Sequence, residues 1–321
     1  MIKSVDLNSF FITKNTMAQN TSVLLMIRPV SFTYNAQTAV NNAFQQSDAA
    51  NAQTQNMAVA EFNNMVQLLT DNGVRVFVFD DTEEPHTPDS IFPNNWFSTH
   101  ESGDMVVYPM YAPNRRAERR ADIAMALGEQ FIIQDIIDFT LAEQEDKFLE
   151  GTGSMVLDRD LRICYACLSP RTHKDLLVDF CNQLGYELLA FHAVDAVHQP
   201  IYHTNVVMSV GDKFMVVCME CIPNQTERDL IRQSTSKDII EISLAQLNQF
   251  AGNMLEVVNQ KGEHLLVMSS QAYNSLTPTQ ITQLEKHARI LHSNLQTIET
   301  NGGGSARCMM AEVFFTPKTQ Q

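Results

Sequence analysis

S-M-V-L-D-R-D-L-R-I-C-Y-A-C-L-S-P-R-T-H-K-D-L-L-V-D-F-C-N-Q-L-G-Y-E-L-L-A-F, residues 154–191, carries the pattern that decides the fold. SMVLD and RICYACLS are short runs rich in apolar residues, and the turn-forming Asp158–Asp160 between them predicts a hairpin. THKDLLVDFCNQLG follows with helical spacing of its apolar residues, a threonine start and a glycine stop. YELLAFHAV returns to strand character. The unit is therefore strand, strand, helix, strand.

The same order recurs on both sides. Upstream, TSVLLMIRP predicts a strand, and a helical stretch from Asp48 to Asn72 is closed by Asn72-Gly73. VRVFVFD and DMVVYP predict strands, RRAERRADIAMALG a helix ending on Gly128, and QFIIQDII a further strand. Downstream, NVVMSVG and KFMVVCME predict strands joined at Gly211-Asp212. NMLEVVNQ and HLLVMS pair through Lys261-Gly262, and TPTQITQLEKHA is a helix with Pro278 in its first turn. The chain closes with LQTIET, a triple-glycine loop and the strand-like MMAEVFF. A period of about 60 residues gives about five units, with no evident sequence identity between them. Small sheets that repeat must bury their faces against something common, which predicts one α/β domain over residues 1–321 with radial repetition and an N-terminal extension over 1–20.

Composition narrows the function. The net charge is −15, from 22 basic and 37 acidic residues. Such a field repels nucleic acid and anionic lipid. No apolar run approaches the ~18–20 residues of a membrane helix, and the N-terminus has no sustained apolar segment, so the expectation is a cytoplasmic protein without a signal peptide. Six cysteines do not make a disulfide framework. Cys164/Cys167 and Cys218/Cys221 have C-x-x-C spacing, but both fall in strand-like runs, where positions i and i+3 face opposite sides. They are expected as buried core cysteines, with no metal.

The segment Asn301–Cys308, N-G-G-G-S-A-R-C, is the most informative for chemistry. Three glycines suit a sharp bend or a close approach to a ligand. A cysteine held after them becomes a nucleophile where cationic or hydrogen-bonding neighbours favour its thiolate. A glycine turn with an inert buried thiol fits the same residues. His203, at the start of a predicted strand, is a candidate acid/base. Glu150, beside a Gly-Thr-Gly turn, can receive a substrate N–H or orient a histidine. In D-S-I-F-P-N-N-W-F, Asn94, Asn95 and Trp96 suit recognition of a small polar group. Arg115 and Arg171 each begin a helix and can clamp a carboxylate.

In their order, these motifs resemble the guanidino-modifying enzymes, the pentein superfamily, from Met26-Ile27-Arg28-Pro29 to Cys308. The resemblance implies a five-bladed ββαβ propeller with its active site in a central channel. It implies Cys308 as nucleophile, His203 as acid/base and Glu150 as partner of substrate or histidine, with no cofactor. D-S-I-F-P-N-N, A-P-N-R-R-A-E and S-P-R-T resemble the dimethylarginine hydrolase branch, which places Arg115 and Arg171 on the substrate carboxylate and Asp89 on its amino end. Arg28 joins the substrate-binding candidates. Arginine-type members carry aspartate where this chain has Asn95, and many carry another where it has Asn205. A guanidinium offers only N–H donors and wants carboxylates, whereas a ureido group is neutral and presents a carbonyl as well. F-P-N-N-W, E-G-T-G, H-T-N and the glycine–cysteine loop are similar to the citrulline-utilisation hydrolases, or citrulline ureidases. The expected partner is thus a small amino acid: citrulline, hydrolysed to ornithine, carbon dioxide and ammonia, with Asn95 and Asn205 orienting the ureido group and Glu150 accepting one of its N–H bonds. A guanidinium-directed deiminase or dimethylarginine hydrolase, an amidinotransferase and a non-catalytic propeller remain alternatives, and homo-oligomerisation stays open.

Overall fold

The computed structural model of the protein describes residues 18–46 and 52–319. Five three-stranded sheets form five blades. In each, an antiparallel pair is followed by a strand that returns parallel to the middle one. Val156–Asp158 pairs antiparallel with Ile163–Cys167, which pairs parallel with Glu187–Phe191. The helix Lys174–Leu184 makes the crossover, with Leu176, Leu177, Phe180, Cys181 and Leu184 buried against the sheet and Gly185 ending it. Antiparallel partners can be joined by a tight turn, but parallel ones require a crossover, and this alternation is what the sequence displays.

The other blades repeat this connectivity. Phe97–Thr99, Asp104–Val107 and Asp135–Asp138 form the second. Met208–Val210, Phe214–Val217 and Asp238–Glu241 form the fourth. Leu255–Val258, His264–Ser269 and Arg289–Ser293 form the fifth. The first blade is closed by the two ends of the chain: Val23–Arg28 pairs with Arg75–Asp80 and, antiparallel, with Ala311–Glu312. The leading strands of neighbouring blades pack against one another and make the inner ring. Each leading strand is preceded by a short helical turn: Pro93–Asn95, Gly151–Ser154, Thr204–Val207 and Ala306–Met309 in four blades, and the hydrogen-bonded turn Phe250–Asn253 in the fifth.

Several sequence expectations change in detail. NVVMSVG is not strand throughout, because Thr204–Val207 is one of those turns and the strand starts at Met208. RRAERRADIAMALG is split: a 3-10 helix Pro113–Glu118 ends at the extended Arg119 and Arg120, and an α-helix Ala121–Gln130 follows. The strand expected over QFIIQDII shrinks to Asp135–Asp138. The long helix runs Ala52–Asp71; its expected start at Asp48 lies outside the described residues. Cys164 and Cys167 sit on a strand, but Cys218 and Cys221 flank a 3-10 turn, where the Cys221 thiol donates to the Cys218 carbonyl at 3.0 Å. All six cysteines are buried and free. Among the described residues, no group of three or more His, Cys, Asp or Glu is placed to hold a metal ion, and no helix is long and apolar enough to cross a membrane.

Residues 18–20, the described end of the expected extension over 1–20, are tied to the blades. Gln19 donates to the carbonyls of Leu157 and Val210, Asn20 donates to Glu256, and Thr21 donates to the Val313 carbonyl. These three consecutive residues bridge four blades, so they lie inside the ring. Residues 1–17 lie outside the described residues.

Blade packing is tight where the fourth and fifth blades meet. A Cβ on Gly252 would stand 2.2 Å from the Val206 carbonyl oxygen. That obstacle is backbone and cannot rotate away. Gly252→Ala is expected to cost about 1–3 kcal/mol of stability, read as a lower urea midpoint at unchanged m-value.

Candidate active site

The turns before the leading strands bring Asn95, Glu150, His203, Asn205 and Cys308 together, although they span most of the chain. A cavity is lined by Cys308, His203, Asn95, Asp89, Arg115 and Arg171, together with Phe92, Tyr202, Asn42 and the glycine loop Gly302–Gly304. Its free space is about 10 Å³, room for about one water molecule. The site is thus narrow, and Asp89 Oδ1 and His203 Nδ1 are left in it without partners.

Cys308 is 2% exposed. Its sulfur accepts from the side-chain amides of Asn205 at 3.4 Å and Asn253 at 3.3 Å. His203 Nε2 bonds Glu150 Oε2 at 2.8 Å, and its Nδ1 has no partner. A carboxylate on Nε2 fixes the proton there and leaves Nδ1 as the free base. Burial pushes His203 down to about 4, against the pull of Glu150, so the ring is neutral near pH 7. Burial alone would raise the Glu150 carboxyl, but Arg171, the His203 bond and Arg115 together hold it below the usual carboxylate range.

The E-G-T-G turn makes this geometry available. A Cβ on Gly153 would fall 2.5 Å from Asn95 Nδ2 and 2.7 Å from His203 Cε1 and Nδ1. Glycine there lets the histidine edge and the Asn95 amide approach the turn. Glu150 itself does not line the cavity. Its Oε1 accepts the Tyr111 N–H at 3.0 Å and its Oε2 takes His203. Both oxygens are thus engaged by the protein, one of them by the histidine.

The remaining candidates separate. Asp89 lines the cavity, with Oδ2 bonded to Asn35 and Thr38 and Oδ1 unpartnered. Burial raises its carboxyl despite the nearby Arg115. Arg115 is locked by a two-pronged contact to Glu118 at 2.8 and 2.9 Å and donates to Asn95 Oδ1 at 2.9 Å. Its fork is occupied by the protein, so it holds Asn95 rather than presenting a free carboxylate clamp. Arg171 contacts Asn41 and the Thr38 carbonyl and lies 3.5 Å from Glu150. Asn94 receives the Asn95 amide at 3.0 Å and reaches Thr152 at 3.3 Å, so it braces Asn95.

Two candidates fall outside. Arg28 pairs with Asp80 at 2.6 Å and its side chain is 37% exposed at the rim. Its position at the end of a strand, not its sequence company, decides where it points. Trp96 is buried against Phe97 at 4.3 Å between centroids and lines a different cleft with Met105, Val107 and Ala124. Adjacency to Asn95 does not give it the same face. Asn253 was not among the candidates. The signal available was positional: it sits two residues before the leading strand Leu255–Val258, as Asn95 does before Phe97–Thr99.

Five ββαβ blades around a buried Cys–His–Glu set define a pentein-fold protein. A family model described as N,N dimethylarginine dimethylhydrolase, eukaryotic, matches residues 28–315, and the chain belongs to that family. No curated protein matches the sequence. Among solved structures, it is similar to ArgZ, an arginine dihydrolase from the ornithine–ammonia cycle in cyanobacteria, at 16% identity and a TM-score of 0.72 over 92% of this chain. The chain spans only 41% of that protein, but 99% of its N-terminal domain, solved covalently bound to a reaction intermediate, at 17% identity and a TM-score of 0.71 over 91% of this chain. A dimethylarginine dimethylaminohydrolase adduct with 4-chloro-2-hydroxymethylpyridine matches at 14% identity and a TM-score of 0.63, covering 91% of this chain and 99% of that one.

The buried neutral histidine makes stability depend on pH. The unfolded chain takes up a proton near His203's ordinary 6.5, whereas the folded chain does so only near 4, so stability falls as pH drops through that window. Glu150, held low, contributes stability that is lost only at lower pH, as its ordinary range is crossed. Between pH 6.5 and 5, His203→Gln, which keeps an N–H donor but does not titrate, is expected to flatten the dependence of unfolding free energy on pH by up to about 1.4 kcal/mol per pH unit. Urea titrations at several pH values measure it.

Proposed function

We propose that the protein is a cysteine-dependent hydrolase of a guanidino or ureido carbon–nitrogen bond, and that its substrate is L-citrulline. In this reading, His203 Nδ1 takes the Cys308 proton as the sulfur attacks the ureido carbon. The bond to the ornithine nitrogen breaks and that proton passes to the departing amine. The S-carbamoyl cysteine left behind is attacked by water, with His203 as base. Carbamate leaves and decomposes to carbon dioxide and ammonia, and the thiol is restored.

One observation supports citrulline over a guanidinium. The groups facing the reacting sulfur are amides. Asn205 holds Cys308 through its N–H side while its Oδ1 is buried without a partner, and Asn95 offers a second amide. Glu150, which holds His203, has both oxygens taken, and Asp89 keeps only Oδ1 free. With Asp89 given to the α-ammonium group, a guanidinium cation beside these amides would have no carboxylate of its own, at a cost of several kcal/mol. A neutral ureido group can give an N–H to Asn205 Oδ1 and receive an amide N–H at its carbonyl. At the other end of the substrate, the unpartnered Asp89 Oδ1 suits the α-ammonium group. Arg171 takes the α-carboxylate in place of Asn41 and the Thr38 carbonyl, while Arg115 positions Asn95.

A second reading is favoured by the company the chain keeps. Its family is named for dimethylarginine, ArgZ is an arginine dihydrolase, and AgrE, of which the chain covers 40%, has been solved with L-arginine and with ornithine and NAD+. A guanidinium substrate would use the same Cys308 and His203.

A screen of citrulline, arginine, methylarginines and agmatine, with ornithine, citrulline and ammonia as readouts, separates the two. Citrulline is expected to give ornithine and ammonia in equal amounts, and Cys308→Ser to lose at least about 10³-fold in kcat. Turnover of arginine with citrulline left untouched would remove the substrate assignment. Unchanged activity in Cys308→Ser would remove the nucleophile.

A further inference from the structure

We propose that Asn253 is a catalytic residue: its side-chain amide donates to the Cys308 sulfur as His203 takes the thiol proton, steadying the negative charge that develops there, and leaves Asn205 to serve the substrate. This rests on the reading of Cys308 as the nucleophile.

The fold itself sets Asn253 apart. In each blade, a polar side chain stands just before the leading strand, where the inner ring closes. Asn95 stands before Phe97–Thr99, Glu150 before the turn that precedes Val156–Asp158, His203 and Asn205 before Met208–Val210, and Cys308 before Ala311–Glu312. Asn253 holds that place in the fifth blade.

Its amide can be oriented in only one way. Nδ2 donates to the Asn205 carbonyl at 2.9 Å and to Cys308 Sγ at 3.3 Å, while Oδ1 accepts the Arg307 N–H at 3.0 Å. Turned over, the amide would set oxygen against the Asn205 carbonyl and NH₂ against the Arg307 N–H, losing both bonds to the backbone. Asn253 is fully buried, so those losses would go uncompensated by water. It therefore always presents an N–H to the sulfur.

Asn205 is different. Its Nδ2 reaches the same sulfur, but its Oδ1 is unpartnered. Only the bond to the sulfur orients it, and its free Oδ1 is available to an incoming group. The two asparagines thus divide the work. A thiol is a weak acceptor and a thiolate a strong one, so an N–H donor that cannot turn away favours the thiolate. Among the described residues the sulfur bonds only these two amides, and the neutral His203 ring lines the same cavity, as does Asp89.

The test is alkylation of Cys308 by iodoacetamide in the full chain, followed at that peptide by mass spectrometry, at pH 7 and pH 10. Asn253→Ala is expected to react about tenfold or more slowly than wild type at pH 7 and to recover the wild-type rate at pH 10. Asn253→Asp keeps the acceptor for the Arg307 N–H, and with it the turn, but loses the donor and adds a repelling charge; it is expected to be slower still at pH 7. It stands in if the alanine variant does not fold. A wild-type rate at pH 7, or equal slowing at both pH values, would overturn the proposal. Because alkylation needs no substrate, a failure to hydrolyse citrulline or arginine would count against the function proposed above and leave this result standing.

Discussion

The Glu150–His203 hydrogen bond is the interaction on which the site depends. Both side chains are out of contact with water, at 0% and 1% exposure. A carboxylate placed there without partners would cost far more than the bond returns. Arg171 at 3.5 Å and Arg115 at 3.8 Å supply the compensating charge, and each is itself tied down, Arg115 by Glu118 and Arg171 by Asn41 and Thr38. The result is a lattice of charges that sets the histidine tautomer before any substrate arrives, which is how a catalytic group avoids reorganisation during reaction.

Propeller closure makes that lattice available. Each blade covers its apolar faces with its own crossover helix and its neighbours, and the ring where the leading strands begin gathers the buried polar side chains of the site. Backbone turns there bend the chain toward the axis and present at least one polar side chain from each blade. The radial repetition that gives the molecule its core also collects five otherwise distant residues.

Much of this was legible in the sequence. Hairpin turns such as Lys261-Gly262 and Gly211-Asp212 and the glycine-stopped helix ending at Leu184 are local signals, and the structure has them where local chemistry puts them. What was hidden depended on tertiary context. Val206 and Val207 favour a strand by side-chain type, yet they lie in the turn Thr204–Val207 because the ring closes there. Arg28 and Trp96 sat in informative motifs but face elsewhere, since neighbours along a bent backbone do not share a direction. Asn253 belonged to no motif, and only its equivalence to Asn95 across blades marks it.

The choice between a ureido and a guanidinium head group turns on two amides, against a family and structural relatives named for arginine derivatives. The measurement that reaches the central claim most directly is mass analysis of Cys308 after rapid acid quench of the protein turning over citrulline. The account predicts a Cys308 peptide carrying a carbamoyl group, absent in His203→Gln. Citrulline consumed with Cys308 never modified, or Cys308 carrying the whole amino-acid skeleton, would contradict it.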